Sequence, residues 1–252
     1  MSDDFGTLLF NLDLSKIRNP QIPPPAEDGR IPVYNGDGYA SPILYPLSKE
    51  FISFSSKIKY PVLDIGAAFG LASINALKKG ATVICNDKEQ KQLDYISHIK
   101  SITEEEKKRL YLKQGSILEI NFPKNSLGAI HMSRVMHFFK PEEVELFFKK
   151  AYHWLIPNGR LYIITMSQYH YANPEGFADY YNNDIKRGVK FPGMINDFKF
   201  KDEKYVLHAI DPIVMMRVGN EYGFICKKIE LYGGKDDDDD YTCAILIKDY
   251  HH

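Results

Sequence analysis

From Tyr60 to Thr165 the chain alternates short β-branched runs with amphipathic stretches at helical spacing, and this alternation limits the fold more than any other feature. Pro61-Val62-Leu63-Asp64-Ile65, Ala81-Thr82-Val83-Ile84-Cys85, Leu110-Tyr111-Leu112, Leu127 to Met132 and Arg160 to Thr165 read as five strands. Helices are expected from the turn after Gly66 to Lys79, where Gly80 stops the run, and from Lys88 to about Ile99. A third runs from Pro141 to Leu155, with Val144, Phe147, Phe148, Ala151 and Leu155 on one face. Thr103-Glu104-Glu105-Glu106 has the form of a capping box before another helical turn. Strands joined through helices in this way form right-handed βαβ units, and hence a parallel sheet.

The alternation breaks after Thr165. Residues 167–207 hold aromatics, glycines and a proline without clear periodicity, and are too long for an ordinary connection. Asp211-Pro212 then opens a helix to about Tyr222, as an N-cap followed by proline at the first helical position. Phe224 to Tyr232 and Tyr241 to Lys248 read as two strands whose short link, Gly233-Gly234-Lys235 and five aspartates, makes them an antiparallel hairpin. The fold expected is α/β: a doubly wound, mostly parallel seven-stranded sheet with an antiparallel C-terminal hairpin and a lid insertion. That domain spans residues 60–252, with the lid at about 167–207. Residues 1–59 form an N-terminal extension, with a proline-rich patch at 19–25 and a cap helix starting at Ser41-Pro42. In that helix Leu44, Leu47, Phe51 and Phe54 share a face.

A hydrophobic share of 44%, a charged share of 26% and a net charge of -1 are those of an ordinary globular protein. Such a charge gives no general attraction for phosphate backbones, so no nucleic-acid partner is expected. No apolar stretch reaches the roughly 18 residues of a membrane span, and the acidic start lacks the features of a signal peptide. No membrane partner is expected either. Cys85, Cys226 and Cys243 lie in apolar runs, without metal-ligand spacing, and read as buried thiols of a reducing, cytoplasmic compartment. No metal site is expected.

The chemistry concentrates where the first strand ends, in Asp64-Ile65-Gly66-Ala67-Ala68-Phe69-Gly70. Glycine there lets the backbone approach a ligand, and the helix that follows aims its N-terminal N–H groups at it. Asp87, closing the second strand, offers two acceptor oxygens to the hydroxyls of a ribose, and an acid so placed needs no buried partner of its own. A nucleoside site is implied. A dinucleotide site would show G-x-G-x-x-G, whereas Ala68 stands where the second glycine belongs.

This turn resembles the first motif of the class I S-adenosylmethionine-dependent methyltransferases, an acid–x–Gly–x–Gly/Ala–x–Gly sequence. The likeness runs from about Tyr60 to Thr165 and resumes from Asp211 to Lys248. Phe138-Phe139 through Pro157-Asn158-Gly159-Arg160-Leu161 is similar to that family's helix and Leu-x-Pro-Gly-Gly turn, and Glu221-Tyr222-Gly223-Phe224 to its helix ending before strand six. The resemblance implies S-adenosylmethionine as cofactor and a strand seven inserted antiparallel beside strand six. It implies that Asp64, Gly66, Ala67, Ala68, Phe69 and Gly70 hold the methionine end. Asp87, with Lys88 beside it, would take the ribose, Ser116 and Ile117 of the Gly115-Ser116-Ile117 turn the adenine, and Ser133 would face the methyl group. Serine stands at 116 where the family has an acid.

No Asp/Asn-Pro-Pro-aromatic motif and no Pro-Cys nucleophile sits at strand four, which disfavours amino-group methylation of adenine or glutamine and carbon-5 cytosine chemistry. The acceptor expected is a small molecule. His137 is placed to act as a general base or to pack the next helix start. Arg134 suits a carboxylate substrate or an ordinary ion pair. Tyr34 and Tyr39 suit a cation–π cover for a sulfonium, or packing. The aromatics of 167–207, including Tyr169, His170, Tyr171, Phe177, Tyr180 and Tyr181, suit a pocket wall or an interface between subunits. Two rivals stand beside the methyltransferase: a cofactor-binding regulator without turnover, and a nicotinamide oxidoreductase.

Overall fold

The computed structural model describes residues 23–26, 29–34, 36, 38–170, 175, 177–200, 203–233 and 241–249. The chain divides into two compact units, residues 1–131 and 132–252.

In the first unit β1 (Ile31–Pro32) pairs antiparallel with β2 (Tyr39–Ala40). Helix α1 (Pro46–Ser55) begins four residues later than the Ser41-Pro42 signal suggested. The cause is Pro46, which holds the preceding Tyr45 in an extended conformation (φ -63°, ψ 154°) and so bars a helix from passing through it. The Ser41 hydroxyl is occupied instead in a local turn with Ile43. There follow β3 (Val62–Ile65), α2 (Leu71–Lys78), β4 (Val83–Asp87), α3 (Gln90–Ser97), the short α4 (Glu104–Lys107) and β5 (Leu110–Gln114). Every residue of β3 and β4 is buried, as continuous apolar runs in a parallel sheet require. Their register sets Asp64 beside Cys85, and β4 pairs parallel with β5 out to Asp87 and Gln114. Gly80 (φ 96°) ends α2 as expected, and Thr103 and Glu106 complete the capping box of α4.

The dividing line falls within β6 (Leu127–Ser133). The second unit continues through a single 3-10 turn (Met136–Phe138), α5 (Pro141–Trp154), β7 (Leu155–Met166), α6 (Phe177–Lys186) and the antiparallel pair β8 (Met194–Phe200) and β9 (Glu203–His208). It ends with α7 (Pro212–Glu221), β10 (Phe224–Tyr232) and β11 (Tyr241–Lys248). Strand β11 lies antiparallel to both β10 and β7, so the last strand is inserted next to the sixth of the main sheet. The main sheet has seven strands in the order β10-β11-β7-β6-β3-β4-β5.

The segment 167–207 is more regular than its sequence suggested, since it contains α6 and the β8–β9 hairpin. Phe177 and Tyr181 join Met166, Ile195, Leu207 and Ala209 in a core of their own, so these two aromatics are interior packing and not a pocket wall. The Tyr181 hydroxyl donates to the carboxylate of Asp211, which also caps α7 by accepting from the Val214 N–H at 2.6 Å. Cys85 and Cys243 are buried thiols, and Cys226 is half-buried. Among the described residues no helix is long and apolar enough to cross a membrane, and no cluster of three metal-ligating side chains occurs.

Candidate active site

Strand β3 delivers the chain into a turn whose alternate residues are left-handed: Gly66 (φ 63°), Ala68 (φ 48°) and Gly70 (φ 78°). Glycine adopts this conformation freely, whereas at Ala68 it carries a strain of about 1–2 kcal/mol. At Gly70 a side chain would also meet Ile96 at 3.0 Å. Ala67 donates to the Asn86 carbonyl at 2.9 Å, Ala68 to Asp87 Oδ2 at 3.0 Å and Gly70 to the Ala67 carbonyl at 2.8 Å. Helix α2 has no side-chain cap, and its first helical bond is from Ile74 to Gly70. The N–H groups of Leu71, Ala72 and Ser73 precede that bond, at the positive end of the helix dipole. Phe69 packs edge-on between Tyr34 (5.6 Å) and Tyr95 (5.4 Å), which ties the N-terminal extension to the turn.

Asp87 is buried (5% exposed) and already engaged. Its Oδ1 accepts from the Glu89 N–H at 2.9 Å, and its Oδ2 accepts from Ala68 and, at 3.2 Å, from Gln92 Nε2. Burial pushes its carboxyl above the usual range, while the Glu89 and Ala68 N–H groups and Lys88 act the other way. The expectation that this acid needs no buried partner is therefore corrected, because it braces the Gly66–Gly70 turn. A carboxylate has about four acceptor positions, so one more donor fits, and the long Gln92 contact is the one to yield. Lys88 is exposed. Asn86 donates to the carbonyls of Lys113 and Gly115 at 2.9 Å each, locking the ends of β4 and β5 together. Ser116 turns its hydroxyl toward the Leu118 N–H at 3.3 Å, and Ile117 is buried.

Asp64 lies beneath the turn with both oxygens occupied. His131 Nδ1 is 2.7 Å from Oδ1, and the Ser73 hydroxyl donates to Oδ2 at 2.6 Å. Neither Asn86 nor His131 stood out in the sequence reading. The signal for each was a polar residue inside an otherwise apolar strand, Val83-Ile84-Cys85-Asn86 and Ala129-Ile130-His131-Met132. In a fully buried strand such residues must have partners.

In the second unit Ser133 ends β6 half-buried, and Arg134 (φ 59°) takes a left-handed conformation while its N–H bonds the Ile164 carbonyl at 2.7 Å. His137 sits in the 3-10 turn, with Nδ1 closed off and without a hydrogen-bond partner among the described residues, although the residue as a whole is half-buried. Burial, then the neighbouring His170 and Arg134, push its pKa down to about 3. The ring is therefore neutral at physiological pH but a weak base. His170 packs edge-on to Tyr241 at 5.3 Å, and Tyr169 is 58% exposed. Within the first unit the Arg30 guanidinium lies 4.8 Å from the Tyr39 ring centre. Tyr171 lies outside the described residues.

The structure thus brings the turn, Asp87 and the Gly115 corner together in the first unit, and groups Arg134, His137 and His170 in the second. Residues 63–163 match the methyltransferase domain family. No curated protein matches the chain. Among solved structures, a methyltransferase from Methanosarcina mazei has a TM-score of 0.61 at 16% identity, over 82% of this chain and 98% of its own. A putative one from Listeria monocytogenes scores 0.61 at 14% identity, over 80% and 98%. A glycopeptide N-methyltransferase holding S-adenosylhomocysteine scores 0.58 at 13%, over 80% and 88%. The matched methyltransferase domain and the fold shared with S-adenosylmethionine-dependent methyltransferases support an enzyme of that class I kind, with S-adenosylmethionine as its cofactor.

Proposed function

We propose that the Gly66–Gly70 turn and Asp87 hold S-adenosylmethionine, and that the methyl acceptor is a small molecule. The observation that carries this reading is the left-handed alternation at 66, 68 and 70, which feeds an uncapped helix and is tied to Asp87 through the Ala68 N–H. The amide groups that open α2 suit the methionine carboxylate. A residual acceptor position on Asp87 suits a ribose hydroxyl, with Lys88 at the rim, and Ser116 and Ile117 lie at the next strand end for the adenine. The resemblance assigns Ser133 to the transferred methyl. Arg134 and His137, with Tyr39, Tyr169 and Tyr171, are assigned to the acceptor.

When bound, the cofactor supplies an electrophilic methyl group on a sulfonium that leaves as a neutral thioether. The protein's residues therefore mainly position the acceptor in line and keep the site dry. Arg134 orients an acidic group of the acceptor through paired hydrogen bonds. His137, neutral with a pKa near 3 in the empty site, becomes a stronger base only where an anionic acceptor offsets the charge of its neighbours. An acceptor nucleophile that needs no proton removed suits the site best.

The near-neutral net charge and the missing nucleobase motifs support a small acceptor in the cytoplasm. The test is transfer of labelled methyl from S-adenosylmethionine into a metabolite extract, compared with DNA, RNA and protein. Label recovered mainly in the metabolite fraction is expected, and label mainly in any macromolecule overturns the assignment.

A further inference from the structure

Beneath the cofactor turn four buried side chains form one continuous hydrogen-bonded series. Ser48 Oγ of α1 is 3.0 Å from His131 Nε2, His131 Nδ1 is 2.7 Å from Asp64 Oδ1, and Ser73 of α2 donates to Asp64 Oδ2 at 2.6 Å. None is more than 3% exposed. The His131 ring lies on Phe51 with centroids 4.8 Å apart and planes 18° apart, which fixes its rotation. An ionised carboxylate only accepts, so Nδ1 carries a proton, and a neutral ring takes the Ser48 hydroxyl proton on Nε2.

Serine, histidine and aspartate in this order are also the parts of a hydrolytic triad. That role needs a nucleophile a substrate can reach, and Ser48 is 3% exposed. What the geometry does satisfy is the requirement of a buried anion. A carboxylate out of water needs donors on its oxygens to offset its burial and to fix its orientation. We propose that His131, backed by Ser48, is a positioning residue for the cofactor turn: it holds Asp64 in one orientation, and Asp64 through Ser73 fixes the start of α2 where the methionine end binds. This rests on the reading that the turn receives the cofactor. The buried negative charge favours a cationic ligand, so S-adenosylmethionine, with its sulfonium, gains more from it than the neutral-sulfur product does.

The test compares full-length variants by calorimetry with S-adenosylmethionine and S-adenosylhomocysteine. His131→Phe keeps the ring shape and its stacking but removes the donor. His131→Asn keeps a donor near the Nδ1 position and loses shape. The account expects His131→Phe to weaken S-adenosylmethionine at least tenfold, and the product less, with native circular dichroism. It expects His131→Asn to recover most of the affinity. Ser48→Ala, the mildest change, should give a smaller loss with the same bias toward the sulfonium ligand. If the two ligands weaken equally, or Phe binds better than Asn, the residue acts by packing alone and the proposal fails. Asp64→Asn separates the two levels. Unchanged binding in Asp64→Asn overturns the cofactor role of Asp64 itself, whereas weakened binding there with wild-type behaviour in His131→Phe overturns only the relay. Labelling of Ser48 by a fluorophosphonate would also contradict the proposal, as that would make it a nucleophile.

Discussion

Ala68 is the residue at which the turn departs from an all-glycine alternation, and its φ of 48° has a measurable consequence. Ala68→Gly relieves about 1–2 kcal/mol of left-handed strain, offset by about 0.4–1 kcal/mol of added unfolded-state freedom. A net stabilisation of up to about 1 kcal/mol is expected in urea denaturation, while Ala68→Val, β-branched at the same φ, should destabilise. Loss of stability in Ala68→Gly would show that the methyl group packs. Asp87→Ala strips acceptors from the half-buried Ala68 and Glu89 N–H groups, which costs about 1 kcal/mol of stability besides any effect on ligand. An unchanged unfolding midpoint would show that water replaces the carboxylate. At this scale the sequence made Asp64 and Asp87 visible as acids at strand ends, but not which way they face. Asp64 faces inward because His131, distant in sequence, pairs with it.

The β8–β9 hairpin hangs on Gly193, whose φ of 92° and closeness to Ala209 leave no room for a side chain: an added Cβ would lie 2.4 Å from the Ala209 carbonyl oxygen. Gly193→Ala should cost at least about 2 kcal/mol and lower amide protection in β8 and β9 under hydrogen exchange. Wild-type protection would contradict that geometry. This element was hard to read because β8 carries one extra residue between Ile195 and Phe198, opposite Leu207 and Tyr205. That bulge breaks the period-two pattern on which strand recognition depends. Helix α6 was legible in principle, since Phe177, Tyr181 and Asp184 are its buried residues at steps of four and three. The dense aromatics around it suggested a binding surface instead. The strands of the main sheet, the capped helix at Asp211 and the terminal hairpin follow directly from local pattern, clearest in β3 and β4, which are buried along their whole length.

Among the described residues, two histidines with depressed pKa values weaken the fold as pH falls. Burial pushes His137 down to about 3 and His208 down to about 4. Both are depressed below the unfolded value near 6.5, so between about pH 6.5 and 4 the unfolded chain binds protons that the folded one does not. Stability is therefore full above pH 6.5 and falls as pH drops through that window, by about 1.4 kcal/mol per pH unit for each proton taken up. Asp87, with its carboxyl raised by burial, acts in the opposite sense. Urea midpoints should decline from pH 7 to pH 5 in the wild type and less steeply in His137→Phe/His208→Phe. A flat profile in the wild type would show that the folded protein protonates these rings.

Cofactor binding at the Gly66–Gly70 turn and Asp87 is the claim on which the rest depends, and calorimetric titration of the full chain tests it most directly. S-adenosylmethionine or its demethylated product should bind at micromolar levels, NAD should not bind, and Asp87→Ala should weaken the methionine-bearing ligand by about ten- to a hundredfold through loss of a charge-assisted hydrogen bond. Binding of NAD alone would contradict the account, as would an unchanged dissociation constant in Asp87→Ala with native circular dichroism.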